Sequence, residues 1–314
     1  MTPSTDPDPG PRSGPRSGSG SGERDPRRPL RVDVLRERLL APTGPVHRLD
    51  VVDRTGSTNT DLGAAVREGG APAGVRVLVT EHQVDGRGRS GRGWQTPPAA
   101  ALTFSVAARP TTPPATWGWL PLLVGLAAVR ALRATTGLGV TLKWPNDLMV
   151  DDPAAPPLDG WGTGRKLGGI LVELVPGAPA AAACPVAVAG VGINVSQSRA
   201  ELPVPSAQSL VGAGARAVDR EDLLVALLDA GAGLAERWRA ADGDVVAAGL
   251  AAEVAAVCAT IGQPVRVELP GTEVLDGVAT GLGADGALLV RDERGTVRPV
   301  RAGDVRHVRS GCGA

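Results

Sequence analysis

The chain has 314 residues, enough for one large domain or two modest ones with a buried core. Its 33 Lys and Arg residues balance its 33 Asp and Glu residues, which excludes a strongly basic protein that attracts nucleic acid or membrane by bulk charge. There is no apolar signal segment at the N-terminus, and the three scattered cysteines indicate neither a disulfide framework nor a zinc site. We therefore expect a soluble cytoplasmic protein.

Residues 1–30 are rich in Pro, Gly, Ser and charge and are predicted to be a disordered tail. Hydrophobic periodicity then predicts a large domain over 31–258 and a small β domain over 259–309, followed by a tail over 310–314. In chain order, the predicted elements of the large domain are a helix over 32–40, a strand over 46–54, a helix over 57–68, strands over 75–81 and 101–108, an apolar helix over 117–135 capped by Thr116, a short strand pair around Pro145, strands over 166–175 and 185–195, a helix over 219–240 capped by Asp219, and a helix over 245–256.

The stretch DGRGRSGRGW, from Asp85 to Trp94, places three arginines among four glycines. Gly86, Gly88 and Gly91 match the spacing of a dinucleotide fingerprint, but two prolines and a strand pattern follow where that fingerprint requires a helix. A disordered Arg-Gly segment also fits poorly, because strand patterns flank the run on both sides. An ordered anion-binding loop fits better, since glycine lets backbone N–H groups approach a ligand and arginine supplies forked donors.

Lysine and asparagine are rare in this chain, so the few that occur are informative. Lys143 and Lys166 are the only lysines, and the three asparagines are Asn59, Asn146 and Asn194. Each lies near a turn or a strand end, and each alone is ordinarily a turn residue or a solvated surface cation. Together they indicate a site, in which lysines beside arginines suit reactive phosphate chemistry.

Five segments, in this order, resemble the biotin protein ligases: TGSTN, EHQVDGRGRSGRGW, LKWPNDL, KLGGILVEL and GVGINV. The likeness covers roughly residues 50–307 and includes the small β domain. It implies an α+β fold, with a mixed-sheet catalytic domain and a small C-terminal SH3-like β-barrel domain. It also implies that biotin and Mg²⁺–ATP form biotinyl-5′-AMP, and that a lysine of a biotin carboxyl carrier domain, as in acetyl-CoA carboxylase, then takes the biotinyl group.

The resemblance also implies roles for the residues in these motifs. The implied catalytic residues are Lys166, Arg89, Arg87 and Asp147. The implied biotin-binding residues are Ser57, Thr58, Asn59, Gln83, Gly86, Arg87, Gly88, Arg89, Lys166, Gly168 and Gly169. The implied ATP- and adenylate-binding residues are Arg87, Arg89, Arg92, Trp94, Lys143, Asn146 and Asn194. Mg²⁺ is expected to arrive with ATP, and no set of protein ligands is assigned to it.

The expected partner is the biotin carboxyl carrier domain of an acyl-CoA carboxylase, with no DNA and no membrane, and the resemblance allows a homodimer. Bifunctional members of the family carry an N-terminal DNA-binding domain, whereas this chain has a polar tail there, so we expect a ligase without repressor activity. Two alternatives stay open: a related lipoate or acyl-protein ligase, and a non-enzymatic Arg-Gly protein that binds nucleic acid.

Overall fold

A seven-stranded mixed sheet organises the larger part of the chain in the computed structural model, which describes residues 27–69, 72–176, 185–269 and 273–307. Most of the predicted N-terminal tail and the whole C-terminal tail lie outside these ranges. The helices and strands of the larger domain are α1 (Val32–Leu39), β1 (Arg48–Thr55), α2 (Thr58–Gly69), β2 (Arg76–Gln83), β3 (Gly86–Arg87), β4 (Gly93–Trp94), β5 (Ala101–Ala108), α3 (Leu120–Thr136), β6 (Thr141–Lys143), β7 (Asp147–Asp151), β8 (Gly164–Val175), β9 (Val186–Asn194), α4 (Arg220–Ala240) and α5 (Leu250–Val257).

The strand order of this sheet is β1-β2-β5-β9-β8-β7-β6. Strands β1 and β2 are parallel, and all other neighbours are antiparallel, which confirms the predicted mixed sheet. Both faces of β2 are buried, because Val77 and Val79 pack into the main core while Leu78 packs under α2 with Leu62 and Val66. A strand covered on both faces needs the continuous apolar run that the sequence shows here.

Helix α4 begins where the sequence predicts. The side chain of Asp219 accepts hydrogen bonds from the backbone N–H groups of Glu221 at 2.8 Å and Asp222 at 3.4 Å, as an N-cap does. Helix α3 differs from its prediction: Thr116 lies in a 3₁₀ segment, Pro114–Trp119, and donates to Pro113 O, so Trp119 is the residue before the α-helix. The prolines at 113 and 114 favour this tighter turn because they lack the backbone N–H.

One other predicted element also differs. Helix α5 begins at Leu250 rather than near Val245, because the Asp244 carboxylate accepts from the N–H groups of Val246 and Ala247 and holds a turn there. The strand predicted over 185–195 is confirmed as β9 (Val186–Asn194). Residues 177–184 lie outside the part of the chain that the structure describes.

The smaller domain is a five-stranded antiparallel sheet, which confirms the predicted β domain. Its strands are β10 (Pro264–Glu268), β11 (Val274–Leu282), β12 (Leu288–Arg291), β13 (Val297–Val300) and β14 (Asp304–His307), in the order β13-β12-β11-β10-β14. Two tryptophans of the larger domain fix it in place: Trp119 Nε1 donates to Ala284 O at 2.9 Å, and Trp144 Nε1 donates to Gly286 O at 3.2 Å. These contacts hold β10 and β14 beside the cavity described below.

Among the described helices, one segment, Pro114–Thr136, is long and apolar enough to cross a membrane by length and composition. Over half of its most apolar window, 56%, is buried inside the protein. Its buried side chains include Leu122, Leu126 and Leu132, and α3 packs against α4. Its apolar character is therefore that of a core helix.

The first described residues form an ion-pair network with the body of the protein. Arg27 binds Ser196 O at 2.9 Å and both carboxylate oxygens of Glu201, at 3.0 and 2.7 Å. Arg28 pairs with the buried carboxylates of Asp219 and Glu221 at 2.7 and 2.9 Å. Arg27 and Arg28 thus anchor this segment to the body of the protein.

This network predicts a pH dependence at Glu201. Hydrogen bonds from the Arg27 guanidinium and from Ser198 lower the pKa of Glu201 to about 2, below its ordinary 4.5. A carboxyl group whose pKa is lower in the folded state stabilises the fold above its unfolded pKa, and this contribution is lost as pH falls from about 4.5 towards 2. Glu201→Gln is therefore expected to flatten the fall in melting temperature over this range, measured by thermal unfolding at several pH values.

The matched control is Glu236→Gln, which removes an exposed carboxylate that pairs with Arg239 on the surface of α4. Its melting curves should follow the wild type at every pH. Parallel profiles for the Glu201→Gln protein and the wild type would contradict the stabilising role of the Arg27–Glu201 pair.

Candidate active site

A cavity of about 680 Å³ lies between the glycine-arginine loop, the central strands and the C-terminal sheet. It gathers every site residue predicted from the sequence except Gly86 and Gly168. The predicted residues that line it are Ser57, Thr58, Asn59, Gln83, Arg87, Gly88, Arg89, Arg92, Trp94, Lys143, Asn146, Asp147, Lys166, Gly169 and Asn194. Residues far apart in the chain therefore meet at one site.

One end of the cavity is a neutral, buried polar cluster at the first turn of α2. Gln83 Oε1 accepts from Thr58 N at 2.9 Å and lies 3.2 Å from Thr58 Oγ1. Ser105 Oγ lies 2.7 Å from both Thr58 Oγ1 and Asn59 Oδ1. Asn59 Nδ2 donates to Leu171 O at 3.1 Å and to Glu173 at 2.8 Å. The cluster is prearranged, and it suits a polar, uncharged group of a ligand.

Glycines of β9 make room at this end of the cavity. A Cβ at Gly190 would lie 2.4 Å from Asn59 Oδ1, and a Cβ at Gly192 would lie 2.6 Å from the Trp94 ring. Trp94 therefore lies against bare backbone. Its Nε1 is buried against Gly192 and has no hydrogen-bond partner among the described residues.

Gly86 and Gly168 serve the scaffold instead of the cavity lining. A Cβ at Gly86 would lie 2.3 Å from Trp94 O, where β3 pairs with β4, and one at Gly168 would lie 2.5 Å from Gly192 O, where β8 pairs with β9. Both glycines are needed because two backbones approach closely. Gly86 and Gly168 were predicted to bind biotin, but neither residue lines the cavity.

The glycine-arginine loop is an ordered hairpin. Gly86 pairs with Trp94 and Arg87 with Gly93, and Gly88 N donates to Arg92 O at 2.7 Å. Ser90 and Gly91 at its tip have φ angles of 54° and 72°, so a left-handed turn closes the loop. Strand β5 follows instead of a helix, which confirms that the dinucleotide interpretation does not apply.

The three arginines of the loop point to three different places. Arg87 donates to Thr60 Oγ1 at 2.8 Å and lies 3.8 Å from Glu173, on the α2 side. Arg92 pairs with Asp304 of β14. Arg89 is the least exposed of the three and reaches towards Asn146.

Arg89 donates from Nη1 to Asn146 Oδ1 at 3.3 Å, across the cavity mouth. Burial lowers the pKa of the Arg89 guanidinium, although Asp304 and Asp147 oppose the shift. Arg89 is partly buried, and its guanidinium has one long hydrogen bond among the described residues, so several donors are left for an anionic ligand.

A lysine–carboxylate pair lies opposite the loop. Lys166 Nζ lies 2.5 Å from Asp147 Oδ1, and the two residues lie on the adjacent strands β8 and β7. The other lysine, Lys143, is buried, and its ammonium lies 4.2 Å from the centre of the Trp161 ring. Burial lowers the pKa of Lys143, and the nearby carboxylate of Asp147 opposes this. This end of the cavity is cationic and suits carboxylate and phosphate oxygens.

The two other asparagines connect the walls of the site. Asn146 Nδ2 donates to Ile170 O at 2.8 Å, and Ile170 N donates to Asn146 O at 3.0 Å, which ties the turn after β6 to β8. Asn194 Nδ2 donates to Gln208 O at 3.1 Å, and its Oδ1 accepts from Gln197 at 2.9 Å. Asn194 therefore orders the 196–208 loop at the cavity rim.

Sequence reasoning missed several residues that build this site. They are Ser105, Thr103, Glu173, Gly190, Gly192, Trp161 and Asp304. The two β9 glycines interrupt the apolar run VAVAGVGIN, a pattern that often marks a close backbone approach. The others carry no local signal, because their role depends on which strands become neighbours. Among the described residues there is no group of three or more His, Cys, Asp or Glu that could hold a metal ion.

Comparison with known proteins agrees with this geometry. Residues 51–194 match the family model of the biotin/lipoate A/B protein ligase family, and residues 260–308 match the biotin protein ligase C terminal domain. The biotin–[acetyl-CoA-carboxylase] ligase of Mycobacterium tuberculosis is 39% identical over 287 residues, which cover 90% of this chain and 97% of that protein.

Two further relatives match less of the sequence or only the fold. The bifunctional ligase/repressor BirA of Salmonella typhimurium is 37% identical over 132 residues, 42% of this chain and 36% of that protein. The structure of biotin protein ligase from Aquifex aeolicus in complex with biotin and ATP has a TM-score of 0.65 and 24% identity, covering 84% of this chain and 100% of that one. The near-complete match to the Mycobacterium tuberculosis protein, together with both matched domains, shows that this chain belongs to the biotin protein ligase family.

Proposed function

We propose that this protein is an ATP-dependent biotin–protein ligase, which forms biotinyl-5′-AMP and then transfers the biotinyl group to a lysine of a biotin carboxyl carrier domain. One observation carries the proposal: a single cavity has a neutral polar cluster at one end and Lys166, Lys143 and Arg89 at the other. Biotin has a neutral, hydrogen-bonding ureido ring at one end and a carboxylate at the other, so it fits this polarity.

In the first half-reaction, two anions must meet. An oxygen of the biotin carboxylate attacks the α-phosphorus of Mg²⁺–ATP, the bond to the β-phosphate oxygen breaks, and pyrophosphate leaves. Lys166 and Arg89 are proposed to neutralise the reacting oxygens, which is the main electrostatic task of such a site. Asp147 holds the Lys166 ammonium on the cavity wall until the substrates arrive.

Mg²⁺ is proposed to enter as part of the ATP substrate, and Arg92 and Lys143 are proposed to contact the phosphates. Trp94 is proposed to lie beside the adenylate, with Asn146 on the nucleotide side. Arg87 is proposed to leave Thr60 and cover the biotin end when the ligand is bound. Closing of the loop would keep water from the mixed anhydride.

In the second half-reaction, the neutral amine of an acceptor lysine attacks the biotinyl carbonyl. AMP leaves with the electron pair of the broken bond, and the nitrogen loses a proton as the amide forms. The proposed acceptor is the carrier domain of an acyl-CoA carboxylase, and the Mycobacterium tuberculosis relative is named for acetyl-CoA carboxylase. We further propose a cytoplasmic location and no role in binding DNA.

The proposal is tested by incubating the pure protein with ATP, Mg²⁺ and a biotin carrier domain. Mass spectrometry should find one biotinyl group on the carrier lysine with biotin, and no acyl group when lipoate or octanoate replaces it. Labelling by lipoate alone would favour the related acyl ligase. Strongly salt-dependent binding to single-stranded nucleic acid, without any acyl transfer, would favour the Arg-Gly binding protein.

A substitution at the neutral end tests the biotin side directly. Gly190→Ala places a methyl group 2.4 Å from Asn59 Oδ1 and is expected to displace the Asn59 amide. Losing one or two hydrogen bonds to the ligand should raise the Kd for biotin about 10- to 100-fold, measured by isothermal titration calorimetry. Gly139→Ala is the control, because a Cβ there meets no atom within 4 Å. Equal affinities of the two variants would contradict the placement of biotin's ring beside Asn59.

A further inference from the structure

The loop that joins β7 to β8 forms a wall of the cavity that neither the sequence motifs nor the proposed roles include. Residues 152–163 make up this loop, and Asp159 and Trp161 line the cavity beside the cationic end. The loop also reaches the C-terminal domain, because a Cβ at Gly160 would lie 3.7 Å from the Arg306 side chain. It therefore closes the gap between the two domains at the nucleotide end.

This loop has an internal framework. Leu158 N donates to Gly162 O at 2.8 Å, and Gly162 N donates to Leu158 O at 2.7 Å, which closes a small ring. The buried guanidinium of Arg165 donates to Gly162 O and Gly164 O, each at 3.0 Å, and to Pro156 O. A buried arginine that satisfies three carbonyls fixes the loop shape before any ligand binds. Trp161 is therefore already in position before any ligand binds.

The face of the Trp161 ring lies beneath a buried cation. Lys143 Nζ lies 4.2 Å from the ring centre, and only 6% of the residue is exposed. Within the described ranges, Lys143 forms no ion pair within 4.0 Å and no side-chain hydrogen bond is found for its ammonium. A cation–π contact attracts the charge without occupying its three N–H donors. The ammonium is therefore held in place while its donors stay available to the cavity.

We propose that Trp161 is a positioning residue of the nucleotide site, which seats the Lys143 ammonium so that its donors meet the phosphates of ATP. This inference rests on the proposed ligase function. The β7–β8 loop is then expected to affect the affinity for ATP and not the affinity for biotin. Trp161 lies at the cationic end of the cavity, whereas the neutral polar cluster proposed to bind biotin lies at the other end.

The test measures biotin-dependent exchange of pyrophosphate into ATP, with the KM for ATP and the KM for biotin determined separately. Trp161→Ala should raise the KM for ATP about 3- to 30-fold, the range that a partly buried cation–π contact represents, and leave the KM for biotin unchanged. Trp161→Phe should restore most of the affinity, since it keeps an aromatic face. Pro157→Ala, an exposed change in the same loop, is the matched control and should behave as the wild type.

A double-mutant cycle with Lys143→Gln separates positioning from general loop structure. If Trp161 acts through Lys143, Trp161→Ala should add little to the KM for ATP once the ammonium is gone. Additive effects, or an unchanged KM in the Trp161→Ala protein, would overturn the proposal. The absence of any exchange in the wild type would instead refute the ligase function, so the two failures are distinguishable.

Discussion

Lys166→Ala is expected to lower the rate of biotin-dependent pyrophosphate exchange about 100- to 1,000-fold, the loss seen when one prearranged donor to a developing charge is removed. Lys166 supplies the ammonium nearest to Asp147, at 2.5 Å, on the strand that faces the loop. Without it, the carboxylate and the α-phosphate must approach each other with less neutralisation. The loss should appear mainly in kcat, because the lysine is assigned to the reacting oxygens.

Asp147→Asn is the matched comparison for that experiment. It breaks the same ion pair but keeps the ammonium, so its loss of exchange should be clearly smaller than that of Lys166→Ala. The Lys166 side chain is partly exposed, so its removal should leave the melting temperature close to that of the wild type. Equal losses in the two variants would indicate that the ion pair matters and not the charge of Lys166.

Arg89→Gly is expected to release biotinyl-5′-AMP about 10- to 100-fold faster, because each charged hydrogen bond to a ligand is worth about 1.5–3 kcal/mol. Arg89 is the least exposed of the loop arginines, and its bond to Asn146 closes the loop over the cavity mouth. Two measurements check this: the rate of adenylate loss after rapid gel filtration, and the biotin label on unrelated proteins in the same solution.

Ser90→Gly controls for the added flexibility of a glycine in the same loop. Ser90 has a φ of 54°, so glycine is tolerated there, and the residue does not line the cavity. This variant should retain the adenylate as the wild type does. If it released the adenylate as fast as Arg89→Gly, loop stiffness, and not the guanidinium, would explain retention.

Much of the fold could be predicted from the sequence because local patterns and tertiary packing agree. The Asp219 cap, the buried run of β2 and the turn-separated strands after Gly262 each carry a signal within a few residues. The helix starts near Thr116 and Val245 were wrong, because proline and aspartate turns compete with helix formation at those positions. The first residue of a helix depends on which backbone groups are already hydrogen-bonded in a competing turn.

Part of the candidate site could be predicted because rare residue types mark it in the sequence. Lys143, Lys166 and the three asparagines stand out in a sequence that otherwise uses arginine and small residues, and all five line the cavity. Trp161 and Asp304 did not stand out, because one lies in an irregular loop and the other in the second domain. Their roles arise from the docking of the C-terminal sheet and from the Arg165 framework, which no local pattern shows.

Biotin-dependent exchange of labelled pyrophosphate into ATP tests the central claim most directly. It requires the pure protein, Mg²⁺, ATP and biotin, and no carrier protein, so it isolates the adenylation step. The proposed function predicts exchange that rises with biotin and saturates, and that lipoate does not support. Exchange no greater with biotin than without it, in a folded protein, would contradict the assignment of this cavity to biotin and ATP.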